Sequence, residues 1–213
     1  MVAVHIVLAA PKVEAIKPLI KESGIVIGLD RGALLALEEG IQVDVALGDF
    51  DSISAEEKDF VEINVKNKLD YPSVKDDTDA ELAFLYVLEH YPAAEIYLYN
   101  WYGGRIDHLY SILLMPIQER FASLIPRLHL VSGKNSISYF LPGEHQVDKL
   151  SDMDYLSYIL LTEVVDLTLN GVKYALKEES YDRPIALISN EFLSNKATFS
   201  FETGIVAAIQ SKD

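Results

Sequence analysis

The chain of 213 residues is half hydrophobic, carries a formal net charge of -15 at pH 7 and has no cysteine. This length and apolar content indicate a folded protein with one large domain or two small ones, and they argue against disorder. The negative charge argues against non-specific binding to nucleic acid or to an anionic membrane, since both depend on basic surfaces. The lack of cysteine excludes disulfides, thiolate nucleophiles and cysteine-ligated metal sites, and it suits the reducing cytoplasm, where we expect the protein to act.

Residues 1–11 are apolar but have no basic leader, and their apolar stretch is too short for a secretory signal. They predict a buried first strand instead. No stretch approaches the roughly 18 consecutive apolar residues of a membrane-spanning helix. We therefore expect no membrane association.

Short β-branched runs alternate with helical patterns over the first two thirds of the chain, which is typical of a parallel sheet with helices on both faces. The predicted strands are Ile6–Ala9, Ile25–Leu29, Val43–Leu47, Lys68–Tyr71, Glu95–Tyr99 and Leu128–Val131. The predicted helices, from apolar residues at helical spacing, lie near 12–22, 31–39, 54–63, 78–90 and 107–122.

After Gly133 the pattern changes to short strands separated by turn residues. The pair Asn170-Gly171 between two apolar runs predicts a tight hairpin with a type I′ turn, in which both central residues have positive φ. We therefore predict two domains, an α/β domain over residues 1–134 and a smaller all-β, sandwich-like domain over residues 135–213.

The segments that follow the predicted strands of the first domain are rich in aspartate. In open α/β sheets ligands bind beyond the carboxyl ends of the strands, so these segments are the first candidates for a site. They are Asp30-Arg31-Gly32, Gly48-Asp49-Phe50-Asp51-Ser52, Lys75-Asp76-Asp77-Thr78-Asp79 and Gly103-Gly104-Arg105-Ile106-Asp107-His108.

Carboxylates that converge on one edge of a sheet repel each other by about 4 kcal/mol per close pair at an effective dielectric constant of 20. A divalent cation offsets this repulsion. Asp49 and Asp51 fall on the same side of an extended chain, because side chains alternate with period two, and such a pair suits Mg²⁺ together with phosphate oxygens.

Three further features point to a phosphate ligand. Thr78 and Asp79 begin a predicted helix whose first amides attract phosphate, and Gly103-Gly104 allows close approach of the backbone to a ligand. The guanidinium of Arg105 is suited to bidentate contact with phosphate oxygens, and His108 is a further candidate contact.

Each of these residues also has a structural interpretation. Ser54 with Glu57, and Thr78 with Glu81, form capping-box patterns, and Asp107 is placed to cap the next helix. It is the combination that favours a site. The sequence has neither a P-loop motif nor a dinucleotide-binding glycine motif nor the nucleophile elbow of serine hydrolases.

Read in order, these motifs resemble the thiamine pyrophosphokinase family, in its bacterial type. The resemblance continues in the second domain, so that it spans nearly the whole chain, and it rests on six motifs in the family's order. The second-domain motifs are Leu169-Asn170-Gly171-Val172-Lys173-Tyr174 and Ile188-Ser189-Asn190-Glu191.

The resemblance implies a Mg²⁺-dependent kinase that transfers pyrophosphate from ATP to the hydroxyl of thiamine and releases AMP. It also implies a homodimer with thiamine bound where two subunits meet. By the same resemblance, the candidate catalytic and metal-binding residues are Asp49, Asp51, Asp76 and Asp79. The candidate ATP contacts are Asp30, Gly32, Thr78, Arg105, Asp107 and His108, and the candidate thiamine contacts are Ser189, Asn190 and Phe192.

Two positions depart from the family's pattern. Arg31 stands where many members have glycine, and Ile112 stands where the bacterial pattern often has asparagine, whose contact Ser111 is placed to replace. Two other functions stay open at this point. One is a related pyrophosphokinase or a metal-dependent phosphohydrolase, and the other is a module that binds a nucleotide or thiamine without turnover.

Overall fold

The computed structural model of the chain describes residues 2–70 and 77–213. The chain divides into two compact units, one formed by Met1–Leu113 with Leu130–Gly133 and one by Leu114–His129 with Lys134–Asp213. The predicted fold class is confirmed, since a largely parallel sheet with helices precedes an antiparallel β region. No helix in the described ranges is long and apolar enough to cross a membrane.

The first unit is built on a parallel sheet in which β1 is central. β1 pairs in parallel with β5 on one side and with β2 on the other, and β3 and β4 follow β2 outward. Nearly every residue of β1, β2 and β3 is buried, which explains their continuous apolar runs. The strands are β1 Ala3–Val7, β2 Ile25–Leu29, β3 Val45–Gly48, β4 Asn67–Asp70, β5 Glu95–Tyr99 and β6 Leu128–Val131.

Four α-helices belong to this part of the chain: α1 Arg31–Glu38, α2 Ala55–Asn64, α3 Asp79–His90 and α4 Ile106–Leu114. Both predicted capping boxes are confirmed. The hydroxyl of Ser54 accepts from the backbone N–H of Glu57, and the hydroxyl of Thr78 accepts from that of Glu81. These side chains begin α2 and α3 by satisfying amides that have no partner within the helix.

The helix predicted near 12–22 is wrong, because only a 3₁₀ turn over Lys17–Leu19 forms there. Pro18 lies in that turn, and the backbone N–H groups of Ile16 and Lys17 both donate to the carboxylate of Glu39 at 2.8 Å. Pro18 has no backbone N–H to donate, and the N–H groups of Ile16 and Lys17 donate to Glu39, so the i to i-4 hydrogen bonds of a helix do not form here.

The helix predicted over 107–122 is too long. α4 ends at Leu114, and the 3₁₀ segments Met115–Ile117 and Glu119–Arg127 follow it. Pro116 comes two residues after the end of α4, where its ring is incompatible with the turn before it.

The strands after Gly133 form two antiparallel groups, in the orders β12-β9-β14-β7 and β11-β10-β13-β8. Their buried core includes Tyr158 and Leu160 from the first group and Leu167, Leu169 and Phe199 from the second. The strands are β7 Asn135–Phe140, β8 Gly143–Asp148, β9 Tyr155–Leu160, β10 Val164–Asn170, β11 Leu176–Tyr181, β12 Ile185–Asn190, β13 Lys196–Phe201 and β14 Val206–Ser211.

The predicted hairpin at Asn170-Gly171 exists, but its turn is not type I′. β10 and β11 pair in antiparallel, yet residues 171–175 separate them, and Asn170 still belongs to β10. Only Gly171 of the pair has a positive φ, at 72°. The loop is organised by distant contacts instead, because Val172 pairs with Phe192 and both backbone groups of Tyr174 bind the side chain of Asn190.

Candidate active site

A cavity of about 1060 Å³ lies at the carboxyl ends of β1, β2 and β5 in the first unit. The cavity lies where β1 and β5 are neighbours in the sheet. From β1 the chain continues to β2 on one side, and β5 lies on the other side, so this is the point at which the strand order reverses. Ligands of open α/β sheets usually bind at such a point. Six of the residues predicted for the site line it: Asp30, Thr78, Asp79, Arg105, Asp107 and His108.

Asp30 lies between β2 and α1 in a strained backbone conformation, with φ 45°. Its carboxylate accepts a hydrogen bond of 3.0 Å from the backbone N–H of Phe50, so the loop after β3 wraps around it. Gly48 is required at this point, because a Cβ there would collide with the Asp30 carboxylate. Phe50, itself at φ 57° and only 2% exposed, anchors the loop in the core.

The carboxylates of Asp79 and Asp49 lie close enough to that of Asp30 to affect its ionisation. Burial, a hydrogen bond with Asp79 and the negative charges of Asp79 and Asp49 raise the pKa of Asp30 to about 7. The hydrogen bond from Phe50 acts in the opposite direction and is outweighed. Burial and neighbouring carboxylates therefore favour the protonated form of Asp30 at this edge of the sheet.

The expectation that Asp49 and Asp51 share one side of an extended chain is wrong. Phe50 between them has φ 57°, so this segment is a turn, and the backbone N–H of Asp51 donates to the carboxylate of Asp49 at 3.1 Å. The side chain of Asp51 is exposed, and the residue is not part of the cavity lining. Lys75 and Asp76 lie outside the described residues.

The described residues contain no group of three or more histidines, aspartates and glutamates arranged to hold a metal ion. The chemistry of the site nevertheless fits a hard divalent cation, because Asp30, Asp49 and Asp79 offer only oxygen donors. The raised pKa of Asp30 also fits a cation site. Without a cation the carboxyl favours its protonated form, and a nearby cation would favour the ionised form.

Arg105 pairs with Asp107 in the described structure, and both side chains are exposed. Its Nε donates to Oδ1 of Asp107 at 3.1 Å and its Nη2 donates to Oδ2, so the bidentate face of the guanidinium is occupied by a carboxylate. This contact holds the pKa of Asp107 below its usual range. Asp107 also accepts from the backbone N–H of His108 in the first turn of α4.

Thr78 and Gly32 have clear structural roles. The hydroxyl of Thr78 donates to the Glu81 carboxylate at 2.9 Å as well as accepting from its backbone N–H, which commits it to the start of α3. Gly32 does not line the cavity, and a Cβ there would collide with the backbone carbonyl of Val7. It permits the close packing of α1 on β1.

Sequence reasoning missed two parts of the cavity wall, the segment 8–12 after β1 and the pair Trp101 and Tyr102 after β5. The available signal was the position of β1, since a central strand places its carboxyl end in the middle of the site. Gly103 and Gly104 lie against this segment, because a Cβ on them would contact Val13 and Pro11, respectively. The two glycines therefore allow two loops to approach each other closely beside the cavity.

The residues that depart from the family pattern, Arg31 and Ile112, also line the cavity, as does Ser111.

The three residues predicted for the second unit lie on or just after β12. Asn190 is 5% exposed, and its side chain binds the N–H and C=O of Tyr174 and the N–H of Glu191. Ser189 is exposed, has φ 59° and donates its backbone N–H to the Ser157 hydroxyl. Phe192 is half-buried against the core of this unit.

Comparison with known proteins gives a consistent result over both units. The family "Thiamin pyrophosphokinase, catalytic domain" matches residues 16–124, and "Thiamin pyrophosphokinase, vitamin B1 binding domain" matches residues 144–206. The chain is 33% identical over 217 residues to thiamine pyrophosphokinase of Bacillus subtilis (strain 168), with 100% of both chains covered.

Solved structures are similar over the same extent. A thiamin pyrophosphokinase family protein from Enterococcus faecalis has a TM-score of 0.91 and 38% identity, with 99% of each chain covered. Thiamine pyrophosphokinase from Bacillus subtilis has a TM-score of 0.84 and 30% identity, again with 99% of each chain covered.

The raised pKa of Asp30 predicts a pH-dependent gain in stability for the variant Asp30→Asn in the presence of a metal chelator. A carboxyl whose pKa is higher in the folded state than its ordinary 3.8 binds its proton more tightly when folded, so its ionisation destabilises the fold. The parent loses this stability as the pH rises from about 4 to 7, whereas the variant keeps the acceptor oxygen for Phe50 and does not titrate.

Unfolding in urea at pH 4 and pH 8 measures the effect. The variant should exceed the parent in free energy of unfolding at pH 8 by an amount on the order of a few kcal/mol, and the difference should shrink at pH 4. The matched control is Asp59→Asn, an exposed residue of α2, which should show no such trend. An equal difference at both pH values would contradict the raised pKa.

Proposed function

Because the chain belongs to the thiamin pyrophosphokinase family, we propose that it transfers pyrophosphate from ATP to the hydroxyl of thiamine at the carboxyl edge of the parallel sheet. The chain is an enzyme of this family, an ATP-using kinase with a thiamine-binding domain. The observation that supports this location is the buried carboxyl of Asp30 in the cavity, whose pKa is raised to about 7 by burial, by a hydrogen bond with Asp79 and by the charges of Asp79 and Asp49.

ATP is the proposed occupant of the cavity. Its phosphates would lie among Thr78, Arg105, Asp107 and His108, near the first amides of α3, which attract anions. Arg105 reaches phosphate oxygens only if its guanidinium leaves Asp107 or is shared with it. The other proposed nucleotide contacts are Asp30, which shares a hydrogen bond with Asp79, and Gly32, which acts through the packing of α1.

Mg²⁺ is the proposed cofactor, held by Asp49 and Asp79 together with Asp51 and Asp76. When bound, the ion would neutralise charge on the transferring phosphates, which is the main demand of phosphoryl chemistry on a protein. Without a cation the aspartates would repel the anionic nucleotide that the cavity is proposed to bind. The same residues therefore account for both the metal requirement and the site of transfer.

A carboxylate is the proposed acceptor of the proton that thiamine loses. The hydroxyl oxygen attacks the β-phosphorus, the bond from that phosphorus to the oxygen bridging it to the α-phosphate breaks, and AMP leaves with that oxygen. Asp79 lines the cavity and shares a hydrogen bond with Asp30, whereas Asp51 is exposed outside the lining. We therefore favour Asp79 over Asp51 as this acceptor.

Thiamine is proposed to bind across a homodimer, with its rings held by Ser189, Asn190 and Phe192 of one subunit and its hydroxyl directed at the aspartates of the other. Asn190 acts here by fixing the loop 171–175, since its side chain is committed to Tyr174. Self-association is supported by the exposed apolar residues on and beside β12, an edge strand of its group. Ile185 is 41% exposed, Ile188 68% and Leu193 71%.

The division into an α/β catalytic domain, residues 1–134, and a thiamine-binding domain, residues 135–213, is part of this proposal. The two matched family regions, residues 16–124 and 144–206, fall within these limits, whereas the compact units differ from them because Leu114–His129 belongs to the second unit.

The first test is the release of AMP from ATP, which we expect only when thiamine and Mg²⁺ are both present. Asp79→Asn should lower kcat by about 100-fold or more, because it removes a charged oxygen donor and the proposed proton acceptor. Asp59→Asn, which changes an exposed carboxylate of α2, is the matched control and should keep the parent's rate.

Circular dichroism spectra must agree among the three proteins for the rates to be compared. AMP release without thiamine would indicate a phosphohydrolase instead, and absence of turnover with intact nucleotide binding would indicate a binding module. Parent-like turnover by Asp79→Asn at limiting Mg²⁺ would contradict the assignment of Asp79.

The shared site is tested by mixing two subunits that are inactive alone. One carries Asp79→Asn, and the other carries Ser189→Ala with Phe192→Ala, which leaves the hydrogen bonds of Asn190 intact. If each site uses both subunits, heterodimers contain one complete site and regain part of the activity. Heterodimers that form but stay inactive would place each site within one chain.

A further inference from the structure

Two aromatic side chains, Trp101 and Tyr102, form one wall of the cavity directly after β5. Their ring centroids are 5.0 Å apart and their planes are inclined by 52°. Trp101 is only 7% exposed and Tyr102 is half-buried, so the pair presents a small, largely dehydrated aromatic surface to the cavity.

Hydrogen bonds fix both rings. Nε1 of Trp101 donates to the backbone carbonyl of Val131 at 3.3 Å, and the hydroxyl of Tyr102 donates to Glu14 at 3.1 Å. The other carboxylate oxygen of Glu14 accepts from the backbone N–H of Gly133 at 2.7 Å. These hydrogen bonds hold the two rings in place, so the side chains lose less conformational entropy when a flat ligand packs against them.

The position of this wall along the sheet is the second observation. The wall follows β5, whereas Asp30 and Asp49 follow β2 and β3, with β1 between β5 and β2. Two or three strand spacings, roughly 10–14 Å, thus separate the aromatic end of the edge from its acidic end. Between them lie the apolar residues 8–11, which also line the cavity.

A ligand that fits this cavity has a flat aromatic part beside the wall and an anionic part that extends past Arg105 and the start of α3 toward the acidic end, where it binds cations. ATP has this distribution. We propose that the Trp101–Tyr102 wall binds the adenine base, an inference that rests on the proposed use of ATP and that makes these two residues specificity determinants for the nucleotide. Base stacking on aromatic rings stabilises such complexes whatever the base's hydrogen-bonding groups.

Thiamine is the competing occupant, because its thiazolium ring is a cation and aromatic faces attract cations. The dehydrated wall favours the neutral base, since a cation placed there would lose its hydration.

Trp101 is the only tryptophan among the 213 residues, so tryptophan fluorescence reports on this wall alone. We expect AMP and ATP to change the Trp101 emission in a saturable way without thiamine. Inorganic triphosphate, which has the phosphates but no base, should leave the emission unchanged even where it competes with ATP. Equal responses to ATP and triphosphate, or a response to thiamine but not to AMP, would overturn the proposal.

Substitution of Tyr102 keeps the reporter and tests the wall independently. Tyr102→Leu should weaken AMP binding by roughly 5- to 150-fold, the range that base stacking covers. It should raise KM for ATP by a similar factor while kcat and KM for thiamine stay near the parent's values. Tyr102→Phe, which keeps the ring and loses the hydroxyl's contacts with Glu14 and Ser132, should recover most of the affinity.

Phe60→Leu is the matched control, because Phe60 is a 43% exposed ring on α2 outside the cavity lining, and it should change none of these values. A Tyr102→Leu protein that is folded by circular dichroism and binds AMP as the parent does would contradict the role of the wall. AMP release from ATP and thiamine, measured on the same preparations, tests the proposed transfer reaction separately from the proposed base site. A parent that binds AMP at Trp101 but does not react with thiamine would refute the proposed function and leave the base site standing.

Discussion

The mutual repulsion of carboxylates at the carboxyl edge of the sheet is the constraint on which the rest of the site depends. Asp30, Asp49 and Asp79 belong to segments far apart in sequence, yet the parallel sheet and α3 bring them together, and burial, a hydrogen bond with Asp79 and the charges of Asp79 and Asp49 raise the pKa of Asp30 to about 7. A fold that served stability alone would separate these groups. The surrounding backbone holds Asp30 in place, and its hydrogen bond with Asp79 requires a shared proton, which reduces the repulsion between the two groups.

The backbone around these carboxylates is strained where the site needs it. Asp30, Phe50 and Asn100 have φ of 45°, 57° and 54°, and they lie just after β2, β3 and β5. Such conformations persist only where neighbouring contacts enforce them. At Asp30 and Phe50 the enforcing contact is their own hydrogen bond, and at Asn100 it is the pair of hydrogen bonds from its side chain to the carbonyls of Leu8 and Ala10. Among the described residues of the first unit, these three are the non-glycine residues with positive φ, and all three lie at the edge of the sheet that carries the cavity.

Local patterns predicted the elements and the position of the site well. The strands β2, β5 and β6 were predicted with their observed ends, and the capping boxes marked the starts of α2 and α3, because these signals involve residues only a few positions apart. Asp30 and Asp79 were identified from their place after a strand and at the start of a helix.

The errors have a common cause, which is contact between residues distant in sequence. Glu39 accepts from the backbone near Ile16 and thereby replaces a predicted helix, and Asn190 organises the loop after Asn170 and thereby replaces a predicted type I′ turn. The aromatic wall at Trp101 and the segment after β1 were missed because no short motif marks them. Their role follows only from the central position of β1, which sequence periodicity does not reveal.

The most direct test of the account is the pKa of the Asp30 carboxyl, measured by NMR with and without Mg²⁺. The account predicts a pKa of about 7 in the metal-free protein and a decrease on saturation with Mg²⁺, because the cation offsets the charges of Asp79 and Asp49. A pKa near the ordinary 3.8 without metal, or a raised pKa that Mg²⁺ leaves unchanged, would contradict it.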